Sequence, residues 1–253
     1  MRMLASLAVA AAGMLLVAAA PQPRTIYRHA ALIDGTGAPV RRDMAVVVAG
    51  ERIAAVLPDR RLNRRRLAGA RVVDLSGRFL LPGLIDSHVH LATPPDRPRA
   101  LALLRRDLYG GVTAVRDMAD DLREVAWLAR SARRFEIDAP DIYYAALVAG
   151  PSFFTDPRTA AAAQGAVAGK VPWMQAVEPG ADLRAIVAAA RGTGATALKI
   201  YANLDGPTVA ALAREAHRQG LRVWTHSMVF PATPAEGLAA GPDSVSHVCY
   251  LAY

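Results

Sequence analysis

A chain of 253 residues, 53% hydrophobic and 21% charged, has the length for one large domain or a small domain beside a larger one, and its composition excludes a disordered polymer. Its single cysteine, Cys249, excludes an internal disulfide framework. The formal net charge of +8 raises nucleic-acid binding, but only Lys170 and Lys199 among the basic residues are lysines. The densest basic run (Arg60, Arg61, Arg64, Arg65, Arg66) has no interleaved aromatic on which a base could stack, so it reads as a solvated loop and no nucleic-acid partner is expected.

The first element is a leader. Arg2 precedes an uncharged apolar run, Met3 to Ala20, which ends in small residues before Pro21-Gln22-Pro23. That order predicts a secretory signal peptide over residues 1–20, with the cut near Ala19 because Pro21 disfavours cleavage after Ala20. The rival is an uncleaved anchor, since the run just reaches bilayer length, but its many alanines make a poor permanent span. A periplasmic or secreted protein is therefore expected, with no stable membrane partner beyond this segment.

Residues 24–77 read as a small β unit. The β-prone stretches Ile26-Tyr27, Ala30 to Ile33, Met44 to Val48 and Ile53 to Val56 are separated by Asp34-Gly35-Thr36-Gly37 and Ala49-Gly50-Glu51. From residue 78 to 253 strands and helices alternate. Strands are predicted over Phe79–Ile85, Gly111–Val115, Ile142–Val148, Ala195–Ile200, Leu221–Thr225 and Asp243–Val248. Helices are predicted over Pro98–Tyr109, Asp120–Phe135, Asp182–Arg191 and Pro207–Gln219, the last opened by Gly206-Pro207 and closed by Gly220. This repetition argues for an α/β fold with a parallel sheet, open or barrel-like. The connection from Ala149 to Ala181 is too long for a plain loop, and Phe153, Phe154 and Trp173 mark it as a segment that covers substrate.

Of the six histidines, four fall at the C-terminal ends of predicted strands: His88 and His90, two apart and so on one side of a strand, then His226 and His247. In a parallel barrel that is the face where active sites are built, and clustered imidazoles suit a divalent metal such as zinc. His29 and His217 lie elsewhere and read as locally bonded side chains, far from that face. Lys199 sits inside the apolar strand Ala197-Leu198-Lys199-Ile200, where an ammonium group needs a partner or a lowered pKa. It is either a barrel lysine paired with a carboxylate or a neutral amine able to take up carbon dioxide as a carbamate ligand.

The segment Leu81-Pro82-Gly83-Leu84-Ile85-Asp86-Ser87-His88-Val89-His90 resembles the first-strand signature of the amidohydrolase superfamily. Leu32-Ile33-Asp34-Gly35-Thr36-Gly37 and Gly50-Glu51-Arg52-Ile53 resemble its N-terminal β segment, and Lys199, His226 and His247 fall in the family's order. Its imidazolonepropionase-like and prolidase-like dipeptidase branches are the most similar. The resemblance implies a (β/α)8 TIM-type barrel with a small β-sandwich and hydrolysis of C–N bonds in amides, cyclic amides or dipeptides, all small-molecule substrates. It also implies one or two Zn2+ ions: His88 and His90 on the first, carboxylated Lys199 bridging to a second held by His226 and His247, with a metal-activated hydroxide as nucleophile. The family further uses an aspartate after the eighth strand as ligand and proton shuttle. Only about six barrel strands are predicted here, nothing after His247 fills that role, and Asp243 precedes its strand's end. The chain as given is therefore expected to be C-terminally incomplete and inactive or nearly so. A degenerate, non-catalytic metal-binding fragment is the alternative; an open-sheet periplasmic binding protein would leave the four histidines unexplained.

Overall fold

The computed structural model describes residues 23–249; the predicted signal peptide lies outside them. Among the described residues no helix is long and apolar enough to cross a membrane. The chain divides between Pro82 and Gly83 into two compact units.

In the first unit, β1 (Arg24–Leu32), β2 (Arg41–Ala49), β3 (Arg52–Pro58), a single helical turn α1 (Arg64–Leu67), β4 (Arg71–Asp74) and β5 (Phe79–Leu80) follow one another. Their sheet runs β3-β2-β1-β4, with β5 also paired to β1. β2 is antiparallel to β1 and β3, whereas β4 and β5 run parallel to β1. Gly50 turns the β2–β3 hairpin at φ +57°, a conformation that a side chain would strain. Leu32, Met44 and Val46 form the sheet's buried cluster, with Tyr27, Val48 and Leu80 packed against it.

The second unit holds β6 (Leu84–Val89), α2 (Arg97–Tyr109), β7 (Val112–Asp117), α3 (Leu122–Arg133), β8 (Asp141–Ala149), α4 (Pro157–Ala162), β9 (Lys170–Val171) and β10 (Met174–Ala176). It continues with α5 (Leu183–Gly192), β11 (Ala197–Ile200), α6 (Gly206–Arg218), β12 (Arg222–His226), α7 (Pro234–Ala239) and β13 (Ser244–Ser246). Six strands pair in parallel in the order β6-β7-β8-β11-β12-β13. β10 adds in parallel to the C-terminal end of β8, and β9 pairs antiparallel to β10. Arg116 of β7 donates to the Ser87 carbonyl and to Ser244 Oγ, joining the start and the end of this sheet through its interior, so the sheet curls. The architecture is α/β, a partial (β/α)8 TIM-type barrel preceded by a small β unit.

The helix-facing side of the strands carries the apolar load: Val148, Leu198, Ile200 and Val223 are wholly buried, each worth about 1.5–3 kcal/mol over an exposed position. The helices answer with matching stripes. In α6 Val209, Leu212, Ala213 and Ala216 are buried, spaced to face one way. Asp205 caps that helix by accepting from the Thr208 amide, Pro207 lies in its first turn, and Gly220 follows its end at φ +80°. The opposite side of the strands is lined by Met118, Ala145, Ala197 and Trp224, a separate interior cluster.

Three sequence expectations change. Phe79–Ile85 is two strands, because Leu81-Pro82-Gly83 interrupts the pairing: β5 joins the first unit and β6 begins the barrel, which moves the boundary from 77/78 to 82/83. Gly83 passes so close to Thr113 that a Cβ there would lie 2.0 Å from its Oγ1. The long 149–181 connection is built structure, with α4, β9 and β10 inside it. α7 lies where no element is predicted; its Thr233–Glu236 capping box stabilises a helix too short for periodicity to reveal.

Candidate active site

Strand alternation decides what enters the barrel. Ala197 belongs to the interior cluster, so Lys199 and Tyr201, two and four residues on, follow on the same side, while Leu198 and Ile200 face the helices. Lys199 is 2% exposed, and its Nζ donates to the Met118 carbonyl at 3.0 Å and lies 4.7 Å from the centre of the Tyr201 ring. Burial pushes the amine down to about 8, with Asp117 and Asp120 opposing the shift.

Above it the imidazoles gather at the C-terminal ends of β6, β12 and β13. Ring centres are 5.4 Å apart for His88–His90, 4.8 Å for His88–His247 and 4.5 Å for the stacked pair His226–His247. Tyr201 meets His226 edge-on at 5.1 Å. His247 reaches this place on left-handed backbone, φ +61°, which a non-glycine residue adopts only against strain. Burial, and then the Lys199 charge, lowers His88 to about 4; burial, and then His247, lowers His226 to about 4. His247 is lowered for the same leading reason. The Met228 amide donates to His226 Nδ1. Thus His88, His90, Lys199, His226 and His247 are brought together, and all but His226 line one cavity of about 350 Å³.

Two buried carboxylates that sequence reasoning passed over stand behind this cluster. Asp120 is fully buried and accepts from His90 Nδ1 at 2.8 Å, from Thr93 Oγ1 at 2.6 Å and from the Ala92 amide. Burial alone would raise its pKa, but the His90 hydrogen bond and the Ala92 amide hold it below the usual carboxylate value. Asp117, also fully buried, accepts from the Leu91 amide through Oδ2, while its Oδ1 meets no partner among the described residues. Burial, and then the neighbouring Asp120 charge, pushes Asp117 well above the usual range, which favours its neutral form. The signal was present: Asp117, Asp120 and Asp121 crowd the end of an apolar strand on the same face as the histidines.

The residues expected to cover a substrate divide. Phe153 lines the cavity and packs 4.8 Å from Tyr201. Phe154 packs beside it and against Gly169 rather than lining the cavity. Trp173 is a correction: it is buried, donates Nε1–H to the Ala162 carbonyl at 3.0 Å and lies under the Arg123 guanidinium, so it holds the segment together. Arg158, unforeseen, lines the cavity while forked onto Asp156.

His29 and His217 are locally bonded, as expected. His217 Nε2 pairs with Asp243 at 2.9 Å, and Asp243 also accepts from Arg222 and the Val223 amide, at the opposite end of the strands from the histidine cluster. His29 pairs with Asp43 at 2.9 Å. Among the described residues, His29, Asp43 and Asp59 are the set whose ligand atoms all lie within 4.8 Å of one another. Arg28 already grips Asp59 through both oxygens, however, so that set is an ion-pair network.

The barrel donors fit a divalent cation by type: His88, His226 and His247, whose charged forms burial disfavours, and a lysine whose charge is likewise disfavoured. No carboxylate lines the cavity among the described residues.

No family profile matches the chain. The chain is 38% identical over 102 residues to an imidazolonepropionase of Anaeromyxobacter dehalogenans, covering 36% of this chain and 24% of that protein. It is 41% identical over 80 residues to an allantoinase of Streptomyces avermitilis, covering 30% and 17%. These matches therefore span about a quarter or less of the relatives' length. In three dimensions it resembles a putative prolidase from Bifidobacterium longum, with a TM-score of 0.67 and 25% identity, covering 89% of this chain and 54% of that one. A Xaa-Pro dipeptidase with bound methionine shares the fold, with a TM-score of 0.71 and 22% identity, covering 90% and 62%. Strand-end histidines, a buried barrel lysine and these likenesses agree in one direction: the chain is similar to members of the amidohydrolase superfamily.

Proposed function

We propose that this chain is the metal-binding part of a hydrolase that cleaves C–N bonds in amides, cyclic amides or dipeptides, with zinc as its metal. The observation that carries the reading is the gathering of His88, His90, His226 and His247 around buried Lys199 at the C-terminal ends of parallel strands. The relatives' names, imidazolonepropionase, allantoinase and prolidase, support the substrate class. His88 and His90 would hold a first divalent ion; Lys199, as its carbamate, with His226 and His247 would hold a second. A metal held there supplies Lewis-acid polarisation of the scissile carbonyl and an acidified water.

The chain's own residues set the rest. Lys199 is kept from solvent by its strand and by the Met118 carbonyl, so its amine is shielded and presented to the cavity alone. Carbamate formation joins the Lys199 nitrogen to the carbon of carbon dioxide and releases one proton. Phe153, Leu147 and Met174 offer apolar contact to a substrate, and Arg158 offers a charge at the same wall.

The absence of a carboxylate among the described lining residues favours a second reading for the chain taken alone: metal binding with little or no turnover, as in a degenerate fragment. A general acid or base contributes typically 10²–10⁴-fold, and the cavity shows no carboxylate placed for it. The apolar run from Met3 to Ala20 supports export to the periplasm or beyond.

Zinc titration of the purified chain, followed by assay against dipeptides, N-acyl amino acids and cyclic amides, tests both readings. Zinc binding lost in His88→Ala supports the site. No binding to the wild type overturns it. Turnover comparable to that of a full-length hydrolase overturns the second reading.

A further inference from the structure

We propose that Asp120 is a positioning residue that fixes which nitrogen of His90 faces the cavity. The inference rests on the reading of His90 as a metal ligand. His90 follows β6 and lines the cavity with one edge of its ring, while Nδ1 points away to Asp120 Oδ1 at 2.8 Å. Asp120 can only accept there. Its Oδ2 already takes the Ala92 N–H, and its Oδ1 also takes the Thr93 hydroxyl at 2.6 Å. The Asp120 side chain is fully buried, so no water competes for it. His90 Nδ1 therefore donates, and in the neutral ring the lone pair belongs to Nε2.

A histidine free to choose its tautomer presents N–H to a cation for part of the time and rotates about its side chain. A fixed carboxylate on the far nitrogen removes both freedoms and raises the basicity of the ligating nitrogen; loss of such a partner typically costs 10–100-fold in metal affinity. The fold supplies the rigidity. Asp120 lies three residues beyond β7, just after Ala119, whose φ is +87°, and the same turn returns to the 90–93 segment through Asp121 N–H to the Ala92 carbonyl. Asp117 takes the Leu91 amide. The peptide groups on either side of His90's exit are thus tied to β7, and Asp120 adds the one bond to the ring itself.

The test compares the wild type with Asp120→Asn, which keeps the side chain's size, and with Thr93→Val, which removes only the hydroxyl from the same oxygen. Two readouts are taken on the whole chain: zinc affinity by chelator competition, and the imidazole tautomer of His90 by nitrogen-15 NMR on metal-free protein, assigned with His90→Gln. The expected result is an Nδ1–H tautomer in the wild type, a population of Nε2–H in Asp120→Asn, and a 10–100-fold weaker zinc affinity, with Thr93→Val within about threefold of the wild type. An unchanged tautomer in Asp120→Asn overturns the proposal, as does equal zinc affinity in the two proteins. If the wild type binds no zinc, the metal-site reading fails by itself, and the metal-free tautomer still decides whether Asp120 orients the ring.

Discussion

Replacing Asp117 by asparagine should not weaken the fold at neutral pH, although the residue is completely buried in the barrel wall. Two descriptions of this carboxyl compete. It could be an anion offset by Lys199, or a neutral acid kept protonated by burial and by the nearby Asp120 charge. Burial and Asp120 raise its pKa far more than Lys199 lowers it, and Oδ1 has no donor among the described residues, as suits a neutral group. Asparagine keeps an oxygen for the Leu91 amide and turns an N–H₂ toward the other side, so neither the hydrogen bond nor the volume is lost. For an acid with a raised folded pKa, folding binds a proton that the unfolded chain has released. The stabilisation is therefore complete below the ordinary value of 3.8 and is lost as pH rises toward the folded value, by about 1.4 kcal/mol per pH unit. Asp117→Asn removes that slope. Urea unfolding of metal-free protein should show the two chains closest near pH 4 and the variant gaining on the wild type by that increment per unit above it. Asp117→Ala, which strands the Leu91 amide, should lie about 1–3 kcal/mol below Asp117→Asn at every pH. If Asp117→Asn is instead destabilised at pH 7 and recovers toward pH 4, the carboxyl is ionised in the fold, and the neutral-acid reasoning is refuted.

Gly150→Ala should unfold the chain or cost several kcal/mol in a thermal melt, because the added Cβ would lie 1.9 Å from the Asn203 carbonyl oxygen, a backbone atom that cannot rotate away. Asp243 is held at about 2: burial works against it, but the Val223 amide, Arg222 and His217 outweigh burial. Its contribution should be present above 3.8 and lost as pH falls through about 2, and acid titration of Asp243→Asn should lack that loss. Saturating zinc should raise the unfolding free energy by about 2.7 kcal/mol at a hundredfold excess over Kd, measured by urea unfolding, and chelator or His88→Ala should abolish the gain.

The histidine-bearing face was legible in the sequence because its signals are local. Histidine at a strand's end, and a lysine between apolar neighbours, are properties of five or six consecutive residues, and the period of two then puts Ala197, Lys199 and Tyr201 on one side. The ends of α6 were legible for the same reason, since Pro207 and Gly220 act on the backbone beside them, whereas the Asp205 cap came only with the structure. Tertiary structure alone decided the rest. Trp173 has the composition of a lid residue, and only its bond to Ala162 and its contact with Arg123 show that it anchors the segment. The break inside Phe79–Ile85 depends on which strand lies alongside, β1 for one half and β7 for the other. Asp117 and Asp120 drew no notice because their partners are 26 to 30 residues away. Backbone propensity is written along the chain, but the worth of a buried charge is set by the groups that folding brings to it, and those belong to neighbouring strands.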